Sequence, residues 1–235
     1  LRLAISKANK ESWLCEHMLV MGAKPEGKNR TTYFAGEFPS ACGKTSTAMI
    51  PGQTIVGDDI AYIRPGEDGK AYCVNVEQGI FGIIENINSE DDLLIYKALT
   101  TPRELIFSNV LVKDGKPYWL GMGRELPKEG INYSGEWKLG DKDKEGNEIL
   151  PAHKNARYTI RLQNLENVDS ELNNPNGVPI SGIIYGGRDS DTNPPVLQSL
   201  SWSHGVYIGA ALESETTAAT LGKTGVRKHD PMANL

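Results

Sequence analysis

Three observations predict an α/β fold with a mixed sheet. The aromatic, β-prone run Thr32-Tyr33-Phe34-Ala35 leads through Phe38-Pro39-Ser40-Ala41-Cys42-Gly43-Lys44-Thr45-Ser46 into Thr47-Ala48-Met49-Ile50, so a strand, a tight glycine turn and a helix start follow one another. Thr54-Ile55-Val56-Gly57-Asp58-Asp59 is a short apolar strand that ends in two carboxylates. Hairpin signals elsewhere are interleaved with helical stretches, which places antiparallel and crossover-connected strands in the same protein.

In chain order, Leu1, Ile5 and Ala8 fall at i, i+4 and i+7, the stripe of an amphipathic helix whose start is expected to lie outside this sequence. His17-Met18-Leu19-Val20-Met21 reads as a short buried strand, closed by Gly22 and the turn-rich Pro25-Glu26-Gly27. The next strand runs from Tyr33, and Pro51-Gly52 stops the helix behind it. Residues 61–64 and 71–74 flank Pro65-Gly66-Glu67-Asp68-Gly69, a hairpin signal. A helix is expected over 91–99, then a hairpin from 105–112 and 117–120 turning on Asp114-Gly115. Residues 125–155 are polar and carry the cluster Asp141-Lys142-Asp143-Lys144-Glu145, so they read as a solvated surface excursion. Val178-Pro179-Ile180-Ser181-Gly182-Ile183-Ile184-Tyr185 returns to a buried strand ending at Gly186-Gly187-Arg188. From Trp202 to Leu212 glycine and alanine alternate with bulky residues, which predicts a closely packed helix, with His204 in a structural role. Residues 214–225, rich in Ser, Thr and Gly, read as a mobile loop.

The turn at 38–46 has the chemistry of a phosphate cradle. Its backbone N–H groups and the positive end of the helix dipole converge on one spot, Lys44 adds a point charge, and Thr45 adds a hydroxyl suited to Mg²⁺. Asp58-Asp59 supplies the acid that organises such an ion. The Gly-Lys-Thr tripeptide alone decides nothing, since Gly222-Lys223-Thr224 repeats it without a strand in front. The general pattern G-x-x-x-x-G-K-[ST] would also put glycine where this chain has Phe38. Cradle and paired carboxylates together point to phosphoryl transfer.

The 235 residues are 39% hydrophobic and 23% charged, enough for a real core. Net charge is −5 and the pI about 5.5 with the signs interspersed, so no basic face is offered to nucleic acid or to an anionic membrane. An anionic substrate must then be held by local cations and metal. No apolar run approaches the ~20 residues of a membrane span, and no signal-peptide pattern is present. Cys15, Cys42 and Cys73 are odd in number and outside any C-x-x-C spacing, which fits a reducing cytoplasm better than a disulfide framework or a zinc site. The sequence opens at Leu1 without methionine and stops at Leu235 after the turn-like His229-Asp230-Pro231. The expectation is one nucleotide- and metal-binding lobe over 1–235, incomplete at both ends.

Phe38-Pro39-Ser40-Ala41-Cys42-Gly43-Lys44-Thr45, followed by Val56-Gly57-Asp58-Asp59-Ile60-Ala61, resembles the GTP-dependent phosphoenolpyruvate carboxykinase family, and the cysteine inside the phosphate loop is the telling detail. Further matches run the length of the chain: Trp13-Leu14 with Glu16-His17-Met18-Leu19, Gly79-Ile80-Phe81-Gly82, Asn155-Ala156-Arg157, Gly177-Val178-Pro179-Ile180 with Gly182-Ile183-Ile184-Tyr185-Gly186-Gly187-Arg188, and Ser201-Trp202-Ser203-His204-Gly205-Val206. The resemblance implies a mixed-sheet P-loop mononucleotide-binding core of that family's type. It also implies conversion of oxaloacetate and GTP to phosphoenolpyruvate, CO₂ and GDP in a two-lobed cytosolic enzyme, monomeric at full length, that serves gluconeogenesis or anaplerosis. On the residues alone, another P-loop kinase of small acids and a non-catalytic nucleotide-binding module remain as alternatives.

By the same resemblance His17 and Asp59 look like ligands of a catalytic Mn²⁺, and Thr45 serves the Mg²⁺ carried with GTP. Asp58 organises the shell around them. Ser40, Asn155, Ala156 and Arg157 look like substrate contacts. Ala41, Cys42, Gly43, Lys44, Thr45 and Ser46 hold the nucleotide phosphates, with Arg157 and Arg188 reaching the nucleotide, and Cys42, Lys44, Asp58 and Arg157 take catalytic roles. Residues 214–225 match the family's lid. A thiol at a helix N-terminus two residues from Lys44 is expected to have a lowered pKa. This chain departs from the family pattern at Ser46, where asparagine is usual, at Ala156, where serine is usual, and at Asp189-Ser190-Asp191, where a more basic segment is usual. The family's metal-binding lysine and Gly-Gly substrate contact would precede Leu1, and its guanine pocket would follow Leu235.

Overall fold

The computed structural model describes residues 1–39, 42–191, 196–216 and 225–228. The chain opens with α1 (Arg2–Glu11), which buries Ala8 and stops where Ser12 turns left-handed at φ 58°. Strands β1 (Leu14–Glu16), β2 (Met18–Ala23) and β3 (Thr32–Glu37) follow, then the short helix α2 (Lys44–Ala48) and strands β4 (Thr54–Gly57), β5 (Ala61–Pro65) and β6 (Ala71–Asn75). Five of the six β2 residues are buried, the near-continuous apolar run of a strand covered on both faces. The hairpin expected across residues 65–69 forms, with Pro65 opposite Ala71.

Residues 78–167 make a second compact unit. It holds β7 (Gly79–Ile83), α3 (Leu93–Thr100), β8 (Ile106–Ser108), β9 (Leu111–Lys113), β10 (Lys116–Tyr118), β11 (Glu129–Asn132), β12 (Gly135–Lys138) and β13 (Arg157–Arg161). Strand β13 lies between β7 and β8 in one small sheet, and the order β10-β9-β11-β12 forms another. The run expected as one strand over 105–112 is broken: Asn109 adopts φ 60°, so β8 joins β13 while β9 turns away to pair with β10 and β11. Asp114 and Gly115 both have positive φ, 51° and 70°, the backbone a two-residue hairpin needs.

Residues 125–155 depart from the solvated excursion expected of them. They contain the β11–β12 hairpin, and Trp137 is buried with its indole N–H donated to the Ile149 carbonyl at 2.7 Å. That one aromatic anchors an otherwise polar stretch, while residues 142–145 stay exposed.

At Val168 the chain returns to the first unit and adds β14 (Val178–Tyr185), α4 (Trp202–Ala211), β15 (Ser214–Glu215) and β16 (Arg227–Lys228). The principal sheet has the order β1-β5-β6-β14-β3-β2-β4. Every neighbouring pair in it is antiparallel except β14 with β3, which makes the sheet mixed, as the sequence predicts. Met18, Val20, Ala35, Val56, Ala61, Ile63, Cys73 and Val178 form its buried cluster. Helix α4 is not closely packed: Gly205 approaches Ser199 and Gly209 approaches the Tyr185 ring, but none of its residues is buried, and Trp202 and Tyr207 are more than two-thirds exposed. Among the described residues no helix is long and apolar enough to cross a membrane.

Candidate active site

Strand register determines which loops share an end of the principal sheet. The parallel pairing sets Tyr185 beside Glu37, and the Gly186 N–H donates to the Glu37 carbonyl at 3.0 Å. The turn after β3 and the Gly186-Gly187-Arg188 segment after β14 therefore leave at the same edge. Antiparallel β2 runs the other way and places Met18 opposite Glu37, so His17 enters there, and Val20 opposite Gly57 sets Asp58 and Asp59 there too. Carboxyl ends of strands beside a parallel crossover are where open α/β sheets hold ligands.

The side chains at that edge converge. His17 Nε2 and Lys44 Nζ both bond Asp59 Oδ1, and the Lys44 ammonium lies 2.9 Å from His17 Nε2. Burial works to raise the Asp59 carboxyl, but the bonds and charges of His17 and Lys44 outweigh it, and the group sits far below the usual carboxylate range. Asp58 is buried; one oxygen accepts from the Thr45 hydroxyl at 3.2 Å, and Oδ1 has no hydrogen-bond partner. Burial raises its pKa, with Lys44 opposing and Asp59 assisting. At the end of β3, burial together with Glu16 pushes Glu37 up to about 7 against the pull of His17 and Lys44. Glu37 carried no sequence signal, because its proximity to Glu16 follows from strand pairing.

Among the described residues no group of three or more His, Cys, Asp and Glu side chains forms a metal cage. The donors present still fit a divalent ion. His17 Nε2 and Asp59 Oδ1 meet at one point, and Asp58 Oδ1 is buried without a hydrogen-bond partner, so imidazole nitrogen and carboxylate oxygen are both on hand for such an ion.

The cradle owes its turn to Gly43, which caps α2 at φ 96°, a conformation that costs other residues a Cβ clash. The Cys42 N–H donates to the Pro39 carbonyl at 3.1 Å, and the Thr47 hydroxyl to the Gly43 carbonyl at 2.8 Å. Ser40 and Ala41 lie outside the described residues. Ser46 is exposed on α2. Phe38, which breaks the general glycine pattern, has a packing role that sequence reasoning missed. Its ring lies where side chains on Gly186 and Gly36 would be, 2.8 Å and 3.1 Å from their hypothetical Cβ positions. The second glycine-rich segment, far away in sequence, makes room for it.

Cys42 corrects one expectation. Burial raises its thiol pKa; hydrogen bonds with the Ser214 side chain and the Arg188 backbone, and the Arg188 charge, only partly offset this. Helix α2 is a single short turn, too short to supply the dipole that would reverse the sign. The same contacts join cradle and neighbours: the Arg188 N–H donates to Ser214 Oγ at 3.0 Å, and Glu215 N–H to the Arg188 carbonyl at 2.8 Å. The Arg188 side chain is exposed. Of the segment expected as a lid, the two ends are seen, held in a short ladder in which Thr216 and Gly225–Val226 exchange backbone bonds. Residues 217–224, with the second Gly-Lys-Thr, lie outside the described residues.

Asn155, Ala156 and Arg157 belong to the second unit. Arg157 Nε donates to Asn155 Oδ1 at 2.9 Å, and its guanidinium stands over the Phe81 ring at 5.3 Å. Ala156, expected as a substrate contact, is buried; its N–H donates to the His153 carbonyl and its carbonyl accepts from the Ile84 N–H. Asn155 and Arg157 flank it with polar groups outward. His204 is structural: its Nδ1 accepts from the Leu200 N–H, and its own N–H bonds the Ser201 cap of α4.

Residues 13–235 match the protein family described as phosphoenolpyruvate carboxykinase C-terminal P-loop domain. The chain belongs to that family. Along its whole length it is 60% identical to phosphoenolpyruvate carboxykinase (GTP) of Pyrococcus abyssi and 60% to that of Pyrococcus horikoshii, covering 38% of each. It is 45% identical to the enzyme of that name from Chlamydia pneumoniae, of which it covers 39%. This carboxykinase P-loop chain thus spans well under half the length of the relatives it matches.

Proposed function

We propose that the protein to which this chain belongs converts oxaloacetate and GTP to phosphoenolpyruvate, CO₂ and GDP, reversibly, and that these residues carry the phosphate and metal part of its site. The observation that carries the reading is the meeting of His17, Asp59 and Lys44 beside a glycine turn. His17 and Asp59 would hold Mn²⁺, and Thr45, next to Asp58, the Mg²⁺ that accompanies GTP. A divalent ion bound there supplies positive charge to the substrate oxygen that becomes negative as CO₂ leaves.

The chain's own groups do the rest. Cradle residues 41–46 orient the phosphates through backbone N–H groups, and Lys44 moves from Asp59 to the transferring phosphoryl group, where its charge counts most in the transition state. Asp58, neutral more readily than an exposed acid, fixes the Thr45 hydroxyl. Ser40, Asn155 and Arg157 are assigned to the acid's carboxylates, and Arg188 to the nucleotide. Segment 214–225 acts as the lid that excludes water. A P-loop mononucleotide core, a cytoplasmic setting and a monomeric whole protein complete the proposal.

The test is an assay of the whole protein with oxaloacetate, GTP, MgCl₂ and MnCl₂, following phosphoenolpyruvate and released CO₂ together. Equal amounts of both are expected. Phosphoryl transfer without CO₂ would make it a kinase of small acids, and GTP binding without turnover a nucleotide-binding module.

A further inference from the structure

The paired aspartates sit in the turn after β4, and residues at and just beyond the end of β6 lie against both sides of it. On the side before Asp58, Gly57 lies flat against Asn75: a Cβ there would stand 2.7 Å from Asn75 Oδ1 and 2.8 Å from its Cγ, closer than side chains tolerate. Glycine is required at 57 by this contact. On the side after Asp59, the Ile60 N–H donates to Glu77 Oε2 at 3.1 Å. Asn75 and Glu77 are themselves tied together, since Asn75 Oδ1 accepts the Glu77 N–H at 3.1 Å while Asn75 Nδ2 donates to the Glu77 carbonyl. Residues 75–77 thus form a closed side-chain-to-backbone loop that grips residue 57 at one end and residue 60 at the other.

We infer that Asn75 and Glu77 are positioning residues that aim Asp58 and Asp59 at the ion site. Among the described residues neither is hydrogen-bonded to His17, Lys44 or the two aspartates, although the Glu77 carboxyl feels the charges of Asp59, Lys44 and Asp58. The two contacts fix the peptide planes on either side of the aspartates, and with them the directions in which both carboxylates leave the backbone. Outer residues that orient metal ligands change metal affinity by about 10–100-fold when removed. The inference rests on the reading that Asp59 ligates a divalent ion.

Mn²⁺ titration of the whole protein, with free Mn²⁺ read by electron paramagnetic resonance, tests both levels separately. Asp59→Asn should abolish tight Mn²⁺ binding; if it binds as the unaltered protein does, the ion-site reading fails. Given that loss, Glu77→Ala should weaken Mn²⁺ by about tenfold, while Glu77→Gln, whose amide oxygen can still accept the Ile60 N–H, should stay within about threefold. Gly57→Ala should weaken it as Glu77→Ala does, by pushing on Asn75. Hydrogen exchange of the metal-free protein gives a second readout: Glu77→Ala should speed exchange at the Ile60 amide and leave β2 amides unchanged. Equal weakening by Glu77→Ala and Glu77→Gln would mean that Glu77 acts by charge alone and would overturn the inference. So would unchanged Mn²⁺ affinity in Glu77→Ala.

Discussion

Lys44 and Asp59 are ion-paired at the head of α2, with the Lys44 side chain only 11% exposed. The cation that would contact phosphate is therefore engaged by the carboxylate that would contact metal. A divalent ion and the ammonium compete for one oxygen, so removing the lysine should have opposite effects on binding and on chemistry. In the whole protein, Lys44→Ala is expected to lower turnover by about 100-fold or more, because charge poised on the transferring phosphoryl group is lost, while Mn²⁺ affinity rises. Steady-state kinetics and Mn²⁺ titration of the same preparation check this. Turnover near normal would remove Lys44 from the mechanism.

Phe38 offers a second test, since restoring the glycine of the general pattern should damage this cradle. Phe38→Gly empties the space between Gly36 and Gly186 and is expected to cost about 2 kcal/mol of stability, the scale of burying one large apolar side chain. Nucleotide affinity should fall with it, because the turn loses its seat on β14. Phe38→Leu should recover most of the stability. Urea melts and GDP titrations would show it; a Phe38→Gly protein as stable as the original would leave the ring without a packing role.

Thiol chemistry separates the three cysteines by burial. Cys42 is partly exposed, whereas Cys15 and Cys73 are buried, so Cys42 should be alkylated first. Its pKa lies above the ordinary thiol value of 9.0, and the labelling rate should therefore keep climbing with pH beyond that value. Peptide mapping after timed alkylation across a pH series decides it. A rate that levels off near neutrality would mean a stabilised thiolate, contrary to the burial argument.

Alkaline stability should depend on Cys73. Its thiol is fully buried in the apolar cluster of the principal sheet, and burial pushes its pKa from 9.0 up to about 12. Above pH 9 the unfolded thiol ionises while the folded one stays neutral, so the stabilising contribution is complete below pH 9 and is lost as the pH rises through about 12. Tyr33, raised to about 12 by burial and by Asp169, follows the same sign. Cys73→Ala should lower stability at neutral pH by about 1 kcal/mol and make the decline above pH 9 shallower. Denaturant midpoints from pH 7 to 11 measure both, and an unchanged alkaline slope would refute the assignment.

Local signals were legible where chemistry and period agree. The cradle turn, the Asp58-Asp59 strand end, the hairpin at 65–69 and the turn at Asp114-Gly115 each follow from residue types next to one another in sequence. Trp137 was visible in the sequence but outvoted by the charges around it, and Asn109 broke a strand because one left-handed residue outweighs a β-prone run. Contacts across the sheet were not legible. The fit of Phe38 to Gly186, the meeting of Glu16 and Glu37 and the grip of residues 75–77 on the aspartates arise from strand register, which no local pattern contains. The resemblance supplied His17, since nothing near it in sequence marks it as more than a core histidine.

The parallel pairing of β3 with β14 also dictates when the cradle can exist. Its two strands come from opposite sides of the inserted unit at 78–167, so the chain must make that entire unit before β14 is available. Until then the edge of β3 is bare and Phe38 has no seat. Pairings between residues so distant in sequence form slowly and carry a large loop-closure cost. During synthesis, nucleotide binding would thus report that the first unit has closed across its insertion, and a chain stalled before residue 178 would carry every cradle residue yet hold no phosphate.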